Sequence, residues 1–318
     1  MKIQSPAFFF TASFLRGFAE HYYRQIKLAQ EDPNLDAFKH FLYNSSGSIL
    51  IDEELNIEPF PLLKRIYQTD GAQYKIYKLD PSLGETEREI NAFDNFSASF
   101  SQQFNKQKIE ALESQKQRPI FNLEKVSKRW ANISGQKISS ITEGLPFDWL
   151  NFLTPIVVTT KQILICDSFL TTNTAKLKNN LFPILRAFQS LIKFKGQITL
   201  ISTHENIDRL QDYLTEEFSD QLEFKLAIVE STAIKTQHDR RLVTDSFLLN
   251  IPSGFDVINN QGLVSDGKGT EPISKSIFSG DEEQLNTHAR LSNTLYSLAD
   301  RISSRRVVTN SYFGYILR

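Results

Sequence analysis

The sequence has one cysteine, one methionine and two tryptophans in 318 residues. With Cys166 alone, the chain can form neither an internal disulfide nor a cysteine-based zinc cluster. Cys166 lies in the apolar run KQILICDSFL, and no histidine is close to it in sequence. We therefore interpret it as a buried thiol in a reducing compartment rather than as a nucleophile.

Long hydrophobic runs and excess charge of one sign are also missing. No stretch reaches the roughly 20 apolar residues that a membrane-spanning helix needs. The N-terminal segment is a poor secretion signal because Pro6 and Thr11 interrupt its apolar run. These features predict a cytoplasmic protein. A net charge of −1 excludes a global basic field for nucleic acid but leaves room for a local basic patch.

Aromatic residues, in contrast, are abundant. The 25 phenylalanines predict large aromatic cores, while 40% hydrophobic and 23% charged residues are ordinary for a globular protein. The length favours two domains. Residues 1–83 predict a mostly helical α+β domain, in which apolar positions spaced by four predict a helix over residues 8–30. The acids of LIDEEL at 50–55 are interpreted mostly as a solvated loop.

Residues 84–117 are polar, with phenylalanines at positions 93, 96, 100 and 104. This spacing forms a single stripe on a helix. We predict a long, largely exposed helix that links the two domains. Alternatively, the same stripe pairs with a protein partner.

Residues 118–318 predict an α/β domain. The runs KQILICDSF, GQITLIST and LEFKLAIVES have the composition of buried strands, and amphipathic helical patterns separate them. Strand–helix–strand alternation favours a mainly parallel sheet with flanking helices. The following segment, HDRRLVTDSFLLNI, predicts a pair of strands in a hairpin.

The stretch QHDRRLVTDSFLLN, residues 237–250, suggests phosphate chemistry. On a strand, His238 and Arg240 share one face. A guanidinium binds two phosphate oxygens at once, and an imidazole can attack phosphorus or donate a proton to a leaving oxygen. Asp245 returns on the next segment to orient a basic group. We predict these three as the catalytic residues, with His238 and Arg240 in one cleft near Asp167.

The spacing H-x-R-x-x-x-x-D resembles the H-x-K-x-x-x-x-D motif of the phospholipase D superfamily, with arginine in place of lysine. Residues 145–265 are similar to the phospholipase-D-like C-terminal domain of MIT-domain-containing proteins. The similarity rests on Asp167 and Phe169 after a strand, on NNLF at 179–182, and on HDR at 238–240 followed by GFD at 254–256.

This resemblance implies a phospholipase-D-like fold that binds phosphoinositide membranes without turnover. A complete phospholipase D site needs two motifs, and His288 with Arg290 has Leu295 where the second aspartate belongs. We therefore predict a phosphate- or phosphodiester-recognising module with a degenerate or half active site. We predict that this module binds nucleic acid or a phospholipid headgroup and that it belongs to a prokaryotic defence or accessory protein. The alternatives are a metal-independent phosphodiesterase or nuclease active as a homodimer, and a protein-interaction scaffold.

Further ligand-binding residues are predicted at the ends of strands. Asp167, Thr203 and His204 follow the first two strands of the α/β domain, where open sheets bind ligands. The same side chains could instead cap the loop or helix that follows. Arg241, on the opposite strand face, is included as a further phosphate contact. Lys193, Lys195 and Lys235 are candidates for a modest basic rim. We predict no metal and no cofactor.

Overall fold

The computed structural model describes residues 6–45, 48–53, 59–68, 74–135, 137–138, 140–202, 212–213, 216–218, 225–230, 240–303 and 307–309. The chain divides into two compact units. The N-terminal unit comprises Gln4–Gly135 and Ser276–Ala289, and the C-terminal unit comprises Gln136–Lys275 with Met1–Ile3 and Arg290–Arg318. Within the described ranges, every helix is too short or too polar to cross a bilayer.

The N-terminal unit contains a parallel sheet of five described strands in the order β3-β2-β1-β4-β5. The strands are β1 (Ala7–Phe10), β2 (Ser48–Ile51), β3 (Tyr74–Ile76), β4 (Ala98–Phe100) and β5 (Ile120–Phe121). The helices are α1 (Ala12–Lys27), α2 (Pro33–Asn44), α3 (Pro61–Gln68), α4 (Glu85–Ala92), α5 (Lys106–Lys116) and α6 (Leu123–Ser134). This parallel α/β arrangement differs from the mostly helical α+β domain that the sequence predicted.

Local capping explains where the first helices begin. The hydroxyl of Thr11 accepts a hydrogen bond from the Phe14 N–H and caps α1. Asp32 caps α2 in the same way, and Pro33 occupies its first turn, where a missing N–H costs nothing. The helix predicted over residues 8–30 therefore starts at Ala12, because the residues before Thr11 pair with β2 and β4 instead.

A network of aromatic rings fills the core of the N-terminal unit. Phe10 and Phe100 stack with ring centroids 4.2 Å apart. Phe38 meets Trp130 edge-on at 4.7 Å, and Phe121 also packs against Trp130 at 5.3 Å. All five side chains are fully buried. The aromatic-rich core expected from the phenylalanine count is confirmed here.

The segment 84–117 is not a single linking helix. It comprises α4, a 3₁₀ turn at Phe93–Asn95, the central strand β4 and α5. Its phenylalanines at 93, 96, 100 and 104 are all buried, so they cannot form an exposed stripe for a protein partner. The spacing of the phenylalanines predicted a helix wrongly, because residues 98–100 form a strand by pairing with β1, about ninety residues away in sequence. Residues 118–135 also belong to the N-terminal unit rather than to the α/β domain.

The C-terminal unit contains a mixed sheet in the order β13-β9-β8-β7-β10-β11-β12-β6. Its strands are β6 (Lys137–Ile138), β7 (Gln162–Cys166), β8 (Gln197–Ser202), β9 (Lys225–Glu230), β10 (Arg241–Thr244), β11 (Phe247–Asn250), β12 (Ile273–Ser276) and β13 (Val307–Thr309). The described helices of this unit are α7 (Trp149–Leu153), α8 (Thr174–Lys176) and α9 (Phe182–Ile192), with a π-helical turn at Leu177–Leu181 between α8 and α9. A further helix, α10 (Glu282–Ser303), has residues up to Ala289 in the N-terminal unit and residues from Arg290 in the C-terminal unit.

The predicted parallel strands and hairpin are both confirmed in this sheet. β7, β8 and β9 run parallel, and β10 pairs antiparallel with β7 and with β11. Cys166 is buried at the end of β7, as expected. Because three parallel strands meet antiparallel β10 beside β7, the carboxyl end of β7 lies next to the start of β10.

Replacing Phe100 by alanine should lower the free energy of unfolding by about 3–5 kcal/mol, because it removes a fully buried ring from the aromatic core. Ile76→Ala, on the exposed part of edge strand β3, is the control and should change stability by less than about 0.5 kcal/mol. Urea denaturation followed by circular dichroism measures both. Equal, small effects would mean that residue 100 lies on an exposed helix after all.

Candidate functional site

The site begins with a buried carboxylate at the end of β7. Asp167 is 1% exposed. Its Oδ1 accepts a hydrogen bond from the Phe169 N–H at 2.7 Å, and its Oδ2 accepts one from the Phe255 N–H at 2.7 Å. Asp167 therefore connects its own loop to the loop that follows β11.

The electrostatic surroundings of Asp167 are mixed. Burial raises the pKa of the carboxyl, and the charge of Asp256 acts in the same direction. The two backbone N–H donors and the guanidinium of Arg240 lower that pKa. Arg240 and Asp167 are therefore electrostatic neighbours, while the predicted cleft shared with His238 remains a prediction because His238 lies outside the described residues.

The loop after β11 accommodates the Arg240 side chain at a glycine. Gly254 has a φ of +95°. A Cβ atom there would lie 2.7 Å from Cδ of Arg240 and 2.9 Å from Oδ1 of Asp256. A larger residue would be strained by this backbone conformation and would also clash with both side chains. The glycine of the GFD step at 254–256 is thus required by the backbone conformation and by close packing against Arg240.

Three cationic side chains gather around this loop, and we call Lys176, Arg240 and Lys268 the cationic cluster. Nζ of Lys176 lies 2.7 Å from one carboxylate oxygen of Asp256, and Nζ of Lys268 lies 2.6 Å from the other. Lys268 also donates to the Ser253 carbonyl at 2.9 Å. Because Asp256 is buried, the two lysines compensate a charge that would otherwise be costly to bury.

An exposed aromatic ring lies beside the cationic cluster. The side chain of Phe169 is 39% exposed. The guanidinium carbon of Arg240 lies 5.4 Å from its ring centroid, and Nζ of Lys176 lies 5.6 Å from the same centroid. One guanidinium nitrogen of Arg240 donates to the Pro252 carbonyl at 2.8 Å, which fixes the group over the ring. The arrangement offers positive charge and an apolar face within one small area.

The structure gives Asp245 a different position from Arg240. Asp245 lies in the turn between β10 and β11. Its Oδ2 accepts hydrogen bonds from the Thr160 hydroxyl at 2.8 Å and from the N–H groups of Lys161 at 2.6 Å and Gln162 at 3.2 Å. These partners lie at the amino end of β7, whereas Asp167 follows its carboxyl end. In the described part of the chain Asp245 therefore anchors the hairpin.

The other predicted site residues divide into two groups. Arg241 is the first residue of β10, where it pairs with Cys166 and Asn250. Since adjacent strand residues point to opposite faces, Arg241 faces away from Arg240. His238, Thr203 and His204 lie outside the described residues, as does Lys235.

Sequence reasoning missed both lysines of the cationic cluster. Lys176 lies at the end of α8, and Lys268 lies in the loop before β12. A signal for Lys176 was present, because it follows the Asp167 loop in a short helix whose N-cap, Asn173, accepts a hydrogen bond from the Lys176 N–H. No local pattern marks Lys268, which reaches Asp256 from twelve residues further along the chain.

The NNLF segment also has a defined role. The side-chain amide of Asn180 donates to the Ile258 carbonyl at 3.0 Å and accepts from the Ile258 N–H at 2.8 Å. This pair of bonds holds the loop after Asp256 against the π-helical turn. The segments quoted for the family resemblance at 167–169, 179–182 and 254–256 therefore converge in space.

Comparisons with known proteins give limited information. No protein-family model and no curated protein matches the sequence. Among solved structures, the chain is similar to NucT from Helicobacter pylori, with a TM-score of 0.31 and 14% identity over 53% of this chain and 98% of that chain. It is also similar to phosphatidylserine synthase of Haemophilus influenzae Rd KW20, with a TM-score of 0.31 and 10% identity over 55% and 40% of the two chains.

A third similar structure is TrmBL2, an archaeal chromatin protein that shows a novel mode of DNA binding. The TM-score is 0.28 and the identity 11%, over 52% of each chain. The match therefore spans about half the length of TrmBL2 and two fifths of the synthase. TM-scores near 0.3 do not establish a common fold, so the chemistry of the site has to follow from its own residues.

Replacing Asp167 by asparagine should lower the free energy of unfolding by about 1–3 kcal/mol, because the amide nitrogen leaves one of two buried N–H groups without an acceptor. The matched control is Asp148→Asn. Asp148 also accepts from two backbone N–H groups, but at the exposed start of α7, where asparagine caps equally well. Urea denaturation compares the two. Equal stability of Asp167→Asn and the wild type would contradict this role.

Proposed function

We propose that the C-terminal unit is a phospholipase-D-like module that binds a phosphate-bearing ligand at the cationic cluster. The observation that supports this most directly is the convergence of Lys176, Arg240 and Lys268 beside the exposed ring of Phe169. Three positive side chains face two buried carboxylates, Asp167 and Asp256, so the surroundings carry an excess of positive charge. An anion is the ligand that this balance favours.

Arg240 is the residue we assign to the phosphate contact. Its guanidinium is planar, always charged, and has five N–H donors in a fork that matches two phosphate oxygens. The bond to the Pro252 carbonyl uses one nitrogen and orients the remaining donors. Lys176 adds a point charge on the same ring, and Gly254 provides the space that the Arg240 stem occupies. A pre-oriented guanidinium loses less conformational entropy on binding.

We propose binding rather than turnover for two reasons. The sequence contains one histidine motif, whereas the phospholipase D reaction needs two. In addition, the carboxylate of Asp245 is engaged by three hydrogen bonds at the amino end of β7. Five residues of extended chain separate it from Arg240, or roughly 16 Å. Asp245 is therefore poorly situated to orient a basic group beside Arg240.

Two sources of phosphate suit the site equally in chemistry, namely a nucleic-acid backbone and a phospholipid headgroup. Both present phosphate oxygens to a guanidinium and an ammonium group. They differ in what lies next to the phosphate. A nucleic acid would place a base or sugar near Phe169, and stacking on an aromatic ring contributes roughly 1–3 kcal/mol per base.

Arg240→Ala should weaken binding of the phosphate-bearing ligand by roughly tenfold to a hundredfold, because charge-assisted hydrogen bonds contribute about 1.5–3 kcal/mol each. Binding is measured by fluorescence anisotropy with short single-stranded oligonucleotides and with soluble phosphoinositide headgroups. Whichever ligand binds the wild type identifies the source. Arg240→Lys keeps the charge but not the fork, so it should fall between the wild type and the alanine variant.

The matched control is Lys178→Ala, which removes an equal charge from an exposed side chain two residues after Lys176. Lys178→Ala should leave affinity almost unchanged, whereas Lys176→Ala should reduce it. Thermal unfolding is recorded for every variant. A large drop in melting temperature for Arg240→Ala, with unchanged affinity for both classes of ligand, would make the charged segment part of the scaffold and refute the proposal.

The homodimeric phosphodiesterase remains the competing hypothesis, and it is tested separately. A metal-independent hydrolysis assay uses nuclease and lipid phosphodiester substrates in the presence of a chelator, with His238→Ala as the control. We expect binding without turnover. Hydrolysis by the wild type that His238→Ala abolishes, together with a dimer in analytical ultracentrifugation, would replace our proposal with the enzymatic one.

A further inference from the structure

A second group of polar side chains at strand ends lies in the N-terminal unit, independent of the site proposed above. Thr11, Asp52 and Ser101 directly follow β1, β2 and β4, which are adjacent strands of one parallel sheet. Their side chains therefore gather at the same edge of the sheet. The strand order reverses between β1 and β4, since β2 and β3 lie on one side of β1 and β4 and β5 on the other. Such switch points are where open α/β sheets bind ligands.

Asp52 is held at this edge by a helix terminus. Its Oδ1 accepts a hydrogen bond from the Ala12 N–H, the first of α1, at 2.8 Å. Burial raises the pKa of Asp52, and the charge of Glu53 acts in the same direction, while the hydrogen bond from the Ala12 N–H at the helix N-terminus opposes that rise. The neighbouring Glu53 is paired with Arg16 at 3.1 Å. The acids at residues 52 and 53 are thus ordered by contacts with α1, whereas the sequence suggested mostly a solvated loop.

Glu89 lies on α4, the helix before β4, and interacts with Asp52 and Ser101 of this group. Its side chain is 5% exposed, and its Oε1 is buried without a hydrogen-bond partner in the described part of the chain. A buried carboxylate oxygen without a donor is costly. The pKa of Glu89 is raised to about 7, mainly by burial, with the charges of Asp52 and Glu85 adding to the shift and a hydrogen bond from Ser101 opposing it.

We propose that a divalent cation of the Mg²⁺ or Mn²⁺ class binds between the carboxylates of Asp52 and Glu89. Besides the two carboxylates, the hydroxyls of Thr11 and Ser101, which follow the adjacent strands β1 and β4, offer oxygen atoms at this edge of the sheet. Oxygen ligands without imidazole or thiolate suit hard cations. A cation there would give the orphaned Oε1 of Glu89 a partner and would remove the repulsion between the two acids.

The site supplies few protein ligands, which limits the class of ion. In the ranges that the structure describes, no three side chains from histidine, cysteine, aspartate and glutamate converge as a metal-binding set. Mg²⁺ and Mn²⁺ tolerate this because they retain several waters and are often bound through one or two carboxylates. Zn²⁺, which prefers nitrogen and sulfur ligands in a closed tetrahedral set, is disfavoured.

Binding is tested with the full chain in metal-free buffer by titrating Mn²⁺ and following the loss of the free-ion signal in electron paramagnetic resonance. We expect saturable binding of one ion per chain, and competition by Mg²⁺. Glu89→Gln and Asp52→Asn should each weaken it by tenfold or more, since loss of an outer-shell partner alone costs roughly tenfold to a hundredfold. Both substitutions preserve shape, and Asp52→Asn keeps a carbonyl oxygen for the Ala12 N–H.

Glu87→Gln is the matched control, because Glu87 lies on the same helix but is exposed. It should bind Mn²⁺ like the wild type. Thermal unfolding without metal excludes misfolding as the cause of lost binding, and Glu89→Gln should be at least as stable as the wild type because it removes a buried charge. Absence of saturable binding by the wild type, or equal binding by Glu89→Gln and Glu87→Gln, would overturn the proposal and leave Glu89 as a carboxyl kept protonated by burial. Neither outcome depends on the cationic cluster.

Discussion

The geometry of the C-terminal site depends on two hydrogen bonds to one buried carboxylate. Asp167 accepts the N–H groups of Phe169 and Phe255 and thereby joins the loop after β7 to the loop after β11. Each loop contributes one component of the site, the exposed ring from the first and Asp256 from the second. Without that connection, Arg240 would have neither its aromatic neighbour nor the glycine that makes space for its stem.

Asp256 organises the positive charge around this connection. A buried carboxylate needs compensation, and the two lysines that provide it come from different segments of the chain. The positive charges outnumber the single negative charge of Asp256, because two lysines and an arginine surround the loop. The same side chains that stabilise the fold therefore also create a local positive field on a protein whose net charge is −1. The binding role that we propose and a structural role are combined in one cluster.

The two units place polar side chains according to the same rule. In each unit polar residues come directly after buried strands, at Asp167 in one unit and at Asp52 and Ser101 in the other. Parallel strands bring these positions to a common edge. The chemical outcomes differ because of the neighbours. Lys176 and Lys268 pair with Asp256 in the loop joined to Asp167, whereas the charges that act on Glu89 are those of the acids Asp52 and Glu85.

Periodicity and local pattern were sufficient to predict much of the C-terminal unit. The buried runs that became β7, β8 and β9 have apolar interiors long enough to be recognised alone, and the hairpin of β10 and β11 follows from alternation around a short turn. The position of Asp167 at a strand end and the proximity of Arg240 to it followed from the same reasoning. These features depend on residues that are close in sequence or on the general geometry of parallel sheets.

What the sequence by itself determined was the apolar and aromatic composition of two cores, the buried single cysteine, strands β7 to β11 of the C-terminal sheet and the polar residue at the end of β7. Only the tertiary structure decided that Phe100 lies in a central strand, because its partner β1 is about ninety residues away. It also decided that Lys176 and Lys268 meet at Asp256 and that Asp245 anchors a hairpin. Hydrogen bonds and ion pairs between distant segments produce no periodic pattern in the sequence. Each depends on where the folded backbone brings two single side chains together.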